Sequence, residues 1–159
     1  TMVIDQSTTI RMILSGILTR FPDLQVVIPH LGGGIAANKE RYTKYLKFWG
    51  KRIWTELGGT PPFPEPFDKH FEDCFNRLYF DMAGYEGGMN AIKCALVAIS
   101  PQKLLFATDY PLNCYPTSEV KEYIQNIRKL DLPQEAIEGM LGGNAARLLA
   151  PVAGAQERA

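Results

Sequence analysis

Three residues combine a reactive side chain with a placement suited to chemistry: His30, Asp81 and Asp109. Each closes a short apolar run, at residues 24–30, 78–81 and 103–109. Histidine is the side chain whose ordinary pKa lies nearest neutrality, so it can take or give a proton at little cost. A carboxylate is a hard anionic donor that holds a proton or a divalent cation. The runs are rich in β-branched, Leu and aromatic residues, as expected of strands buried on both faces. In parallel α/β folds, ligands bind beyond the C-terminal ends of the strands, so three such residues on three strand ends would share one rim. Each also has a plainer reading. An aspartate after a strand often caps a turn, and a histidine there can be a hydrogen-bonded core residue. Gly32, Gly33 and Gly34, which follow His30, permit either a sharp turn or a close backbone approach to a ligand.

The intervening segments read as helices. Residues 7–20 predict one, capped by Ser7 or Thr8, with Ile10, Ile13, Leu14, Ile17 and Leu18 on one face. A long helix is expected over about 35–57, basic on one side and aromatic on the other. Its Arg41 reads as a solvated helix residue. Residues 58–67 contain four prolines and two glycines and read as a loop. Further helices are expected at 67–74, at 90–99, at 117–129 with Thr117 or Ser118 as cap, and as a broken pair over 133–149. The tail, 151–159, is small and polar and is expected to fray. Helices alternating with strands give a parallel sheet with right-handed crossovers.

The 159 residues suit one domain, 46% are apolar, and 17 basic residues balance 17 acidic ones. Zero net charge with no block of one sign argues against nucleic acid or a charged membrane surface as partner. No apolar run approaches the roughly 18 residues that cross a bilayer, and no secretory signal pattern opens the chain. Cys74, Cys94 and Cys114 form no close pair and read as reduced thiols of a cytosolic protein. With only His30 and His70 present, the chain is short of imidazoles for a metal site. A doubly wound small-molecule-binding domain is the remaining fold alternative; it would need a phosphate-binding G-x-G-x-x-G turn, and no later glycine completes one after Gly32.

Four segments in order, FPDLQVVIPHLGGG, LYFDMAG, KLLFATDYP and GMLGGNAARLL, resemble the C-terminal half of amidohydrolase-related enzymes. That group includes aminocarboxymuconate semialdehyde decarboxylase and resorcylate-type decarboxylases. The resemblance implies a partial (β/α)8 TIM barrel over residues 1–150. It implies hydrolysis or non-oxidative decarboxylation of a small carboxylic acid, with a divalent metal, zinc or alternatively manganese. Asp109 of the TDYP motif matches the family's metal-binding aspartate, and His30 the histidine that handles protons. Asp81 matches a strand-end position assigned here to substrate, together with Arg41, and Asn144 a position that braces the last helix. The family's His-x-His pair and middle-strand histidine are absent from the chain. The expectation is therefore a homo-oligomer or completion of the barrel by a missing N-terminal half. The competing expectation is a catalytically incompetent fragment.

Overall fold

The computed structural model describes residues 2–83, 88–112 and 116–156. Gly84 and Cys114 lie outside them, as do residues 157–159 of the tail. The three expected strands form and run parallel in the order β1 (Val27–Ile28), β2 (Tyr79–Asp81), β3 (Leu104–Leu105). Val27 pairs with Tyr79 and Ile28 with Phe80, while Phe80 and Asp81 pair with Leu104 and Leu105. The ladders are shorter than the apolar runs that announced them. Residues 24–26 and 106–108 are outside the strands, although Tyr79 N–H still donates to Val26 O and Phe106 N–H donates to Met140 O.

Helix α1 spans Met2–Leu14 and α2 Ile17–Arg20. The single helix expected over 7–20 is therefore longer at its start and broken near its end. Gly16 at φ 73 makes the break; this left-handed conformation costs glycine nothing sterically. Arg77 closes the end of α2, its guanidinium donating to Leu18 O at 2.6 Å and to Pro22 O. Helix α3 spans Lys39–Glu56 after a 3₁₀ turn at Ile35–Asn38, α4 spans Phe67–Arg77 and α5 Gly88–Leu96. Helix α6 covers Thr117–Arg128 with Pro116 at its cap position, so neither Thr117 nor Ser118 serves as side-chain cap. The last helices are α7 (Gln134–Glu138) and α8 (Asn144–Gln156), joined by a π-helical turn at Gly139–Gly143. Backbone helix thus continues to Gln156, beyond the Leu149 stop expected.

The core gathers on the central strand. Phe80 is fully buried and meets Phe75 at a ring-centroid distance of 5.3 Å, and Phe75 in turn stacks on Phe71. Tyr123 of α6 is buried and donates its hydroxyl to Met82 O at 2.7 Å, tying that helix to the end of β2. Asn144 donates to Pro101 O and Leu104 O, both at 2.8 Å, and so braces α8 against the start of β3, as the sequence suggested. Within the proline loop Phe63 is buried, edge-on to Trp54 and Phe67 and stacked on His70 at 3.9 Å. His70 is a half-buried residue of α4, held against Phe63 and Cys74.

Candidate active site

The chain leaves β1 through Pro29 and enters five successive residues of left-handed φ, His30 to Gly34. Gly32 N–H donates to Pro29 O and Gly33 N–H to His30 O, closing a left-handed turn. Such a turn costs about 1–2 kcal/mol for each residue with a Cβ, here His30 and Leu31. Two features hold it. Leu31 is buried. His30 N–H donates to Asp81 Oδ1 at 2.9 Å, and the same oxygen accepts Ala83 N–H at 3.1 Å. Asp81 thus clamps the backbones leaving β1 and β2 to one another. This bracing role occupies Oδ1 and stands beside the substrate contact expected of Asp81.

The turn throws the His30 ring over the strand ends. Its Nε2 lies 3.1 Å from Asp109 Oδ2, and its Nδ1 lies 3.1 Å from Asp5 Oδ2. Asp109, itself at φ 53, sits beyond β3 where the chain turns, with Leu112 N–H donating to its carbonyl. His30, Asp81 and Asp109, from three elements far apart in sequence, therefore meet. Arg41 does not join them. It is exposed on α3, where it lines a surface groove with Tyr45, Phe48 and Trp49.

Asp5 escaped the reading from sequence, which began the first helix at residue 7. Asp5, Thr9 and Ile13 follow at intervals of four on α1, and Thr9 and Ile13 are fully buried. Carrying the apolar face of the helix back by one further turn would have placed a carboxylate on the inward side.

The ring's electrostatics follow from its two neighbours. Desolvation by burial is the largest single influence on His30 and lowers its pKa. The hydrogen bonds to Asp5 and Asp109, with the negative charges of both carboxylates, together outweigh it and raise the pKa above the ordinary histidine value. The side chains of His30 and Asp109 are 26% and 29% exposed, whereas Asp5 is only 11% exposed. One end of the triad therefore faces outward and the other inward. Among the described residues no group of three His, Cys, Asp or Glu is placed to hold a metal ion. Asp109 is a suitable single ligand; the donor set fits one part of a divalent-metal site and not a whole one, since catalytic zinc takes about three protein ligands. Cys74 is buried, with burial pushing its thiol pKa up, and Cys94 is exposed; both are free. No helix among the described residues is long and apolar enough to cross a membrane.

Residues 1–150 match the family model described as amidohydrolase. No curated protein sequence matches the chain. Solved structures do. 5-Carboxyvanillate decarboxylase from Sphingomonas paucimobilis is 28% identical with TM-score 0.66, over 89% of this chain and 38% of that one. A dihydroxybenzoic acid decarboxylase from a Polaromonas species, with bound manganese and 2-nitroresorcinol, is 20% identical with TM-score 0.63, over 91% and 39%. 4-Oxalomesaconate hydratase from Rhodopseudomonas palustris is 20% identical with TM-score 0.66, over 99% and 44%. The chain thus spans roughly two fifths of the length of these solved relatives.

Proposed function

The chain belongs to the amidohydrolase family, and on that premise we propose that it is the C-terminal part of a metal-dependent enzyme acting on a small carboxylic acid. The observation that carries the reading is the contact of His30 Nε2 with Asp109 Oδ2 at the C-terminal ends of three parallel strands. Non-oxidative decarboxylation of an aromatic acid is the favoured reaction, because the relative at 28% identity is a 5-carboxyvanillate decarboxylase. The hydratase among the similar structures keeps water addition and hydrolysis as the alternative.

In this reading the three-stranded sheet is a segment of a (β/α)8 barrel whose other strands come from a longer protein or a separate half. Asp109 is the metal ligand this chain contributes. When bound, a divalent cation supplies Lewis-acid polarisation of a substrate oxygen. His30 Nε2, at the outward end of the triad, holds the proton that is delivered to or taken from the substrate. Asp81 keeps the His30 backbone in place through Oδ1, and the left-handed turn keeps the ring over the strand ends. The second reading is a chain without turnover of its own, supported by the single metal ligand that it offers.

The test is made on the full-length protein, with aromatic acids such as 5-carboxyvanillate. His30→Asn should retain metal and lose rate by about 10²–10⁴-fold, the range for removal of an acid–base group. Asp109→Asn should lose both. Full activity in either variant would overturn the assignment.

A further inference from the structure

The motif residues account for one face of the His30 ring, toward Asp109. The other ring nitrogen is held by Asp5, which belongs to no motif and comes from a helix 25 residues earlier in the chain. We propose that Asp5 is a positioning residue: its carboxylate accepts the Nδ1 proton of His30, and this fixes the ring so that Nε2 is presented to Asp109. The role in catalysis rests on the function proposed above; the geometry of the ring does not.

The two carboxylates stand at equal distance from the ring, 3.1 Å on either side, so distance alone does not decide which takes the proton of a neutral imidazole. Solvent access does. A buried carboxylate left without a donor bears its full desolvation cost, whereas an exposed one is satisfied by water. Asp5 is the more enclosed of the two, at 11% side-chain exposure against 29% for Asp109. Its own position is firm. It sits in the first turn of α1, where the helix dipole favours a negative charge, and its carbonyl accepts the hydroxyl of fully buried Thr9 at 2.7 Å. The Asp109 side presents a more open environment. The tautomer of a histidine is set by the bond that its other nitrogen makes. With Nδ1–H donated inward, the lone pair of Nε2 faces outward. Asp5 and Asp109 lie on opposite ring nitrogens, so Asp5 orients the ring from behind and directs Nε2 to Asp109.

The experiment uses this chain labelled with ¹⁵N-histidine. His30 and His70 are its only histidines, so His70→Gln assigns the spectrum. It is recorded at alkaline pH, where the ring carries one proton, and without metal or substrate. A protonated, pyrrole-type Nδ1 in about tenfold excess over the Nε2–H form is expected, because the more enclosed carboxylate loses more when left without its donor than the exposed one does. In Asp5→Ala the ratio should fall to parity or invert, with far-UV circular dichroism showing the helices retained. A predominant Nε2–H form in the unsubstituted chain, or an unchanged ratio in folded Asp5→Ala, would overturn the proposal. If Asp5→Ala fails to fold, the unsubstituted spectrum decides alone. Since the readout needs no turnover, a failed activity assay would count against the proposed function and leave this result standing.

Discussion

His30 and His70 occupy opposite electrostatic situations, and the difference is set by what each ring touches. His30 lies between two carboxylates, while His70 stacks on Phe63 with ring planes 6° apart and has the Cys74 thiol 3.5 Å from its Nε2. Burial lowers the His70 pKa, and a hydrogen bond with the Ile13 backbone and the charge of Asp73 offset it only in part. The unfolded chain therefore binds a proton at His70 before the folded chain does. The contribution of His70 to stability is complete above about pH 6.5, the ordinary histidine value. It is lost as pH falls from there toward the lowered folded-state pKa. His70→Gln should accordingly show a smaller loss of urea-unfolding stability over that acidic range than the unsubstituted chain. Parallel stability curves for the two would show that His70 is not the group responsible.

At the scale of elements, the left-handed turn after β1 is the device that aims His30. The three glycines within it are not equivalent. A Cβ on Gly32 would come within 2.9 Å of Ile35 Cγ2 and 3.0 Å of Phe80 Cε1, whereas one on Gly34 would meet nothing within 4 Å. Both have positive φ, 63° and 81°. Gly34→Ala should therefore cost only the left-handed strain of about 1–2 kcal/mol. Gly32→Ala should add about 1–3 kcal/mol for overpacking against the central strand. Denaturant unfolding of the two variants checks this, with the larger shift expected for Gly32→Ala. Equal shifts would mean that the turn relaxes around the added methyl. The bond from His30 N–H to Asp81 Oδ1 acts on the same turn, so Asp81→Ala should cost about 1–3 kcal/mol for the unpaired amides and loosen His30 without removing it.

For the molecule as a whole, the three parallel strands among the described residues leave β1 and β3 as the sheet's edges. Backbone groups on such edges seek further strands. Val27 on β1 is 42% exposed, and Phe21 and Leu24 leading into it are 48% and 42% exposed. A chain that spans about two fifths of its solved relatives is expected, on the proposed barrel, to gain from completion. Metal analysis should find the full-length protein loaded stoichiometrically and this chain alone nearly empty, because one carboxylate supplies a small part of the roughly 10–16 kcal/mol that a full ligand set gives in structural zinc sites. Co-expression with the remaining portion of the full-length protein should restore metal. Stoichiometric metal in this chain alone would mean that it carries a ligand set of its own.

How much of this was legible beforehand depends on the range of the interaction. The apolar runs and their helical alternation determined three parallel strands and put His30, Asp81 and Asp109 at their C-terminal ends, because burial and backbone pairing act on local pattern. The Gly32–Gly34 run announced a turn for the same reason. The hand of that turn, the clamp of Asp81 on two backbone amides and the inward carboxylate of Asp5 depend on atoms brought together across 51 and 25 residues of chain. No local period encodes those separations. Arg41 shows the same limit: only the packing of α3 reveals that it is exposed in a groove with Tyr45, Phe48 and Trp49. The sequence by itself determined which residues stand on the rim. Tertiary structure alone decided which of them meet, since hydrogen bonds are short and directional and only the packed helices and sheet fix side chains to within that reach.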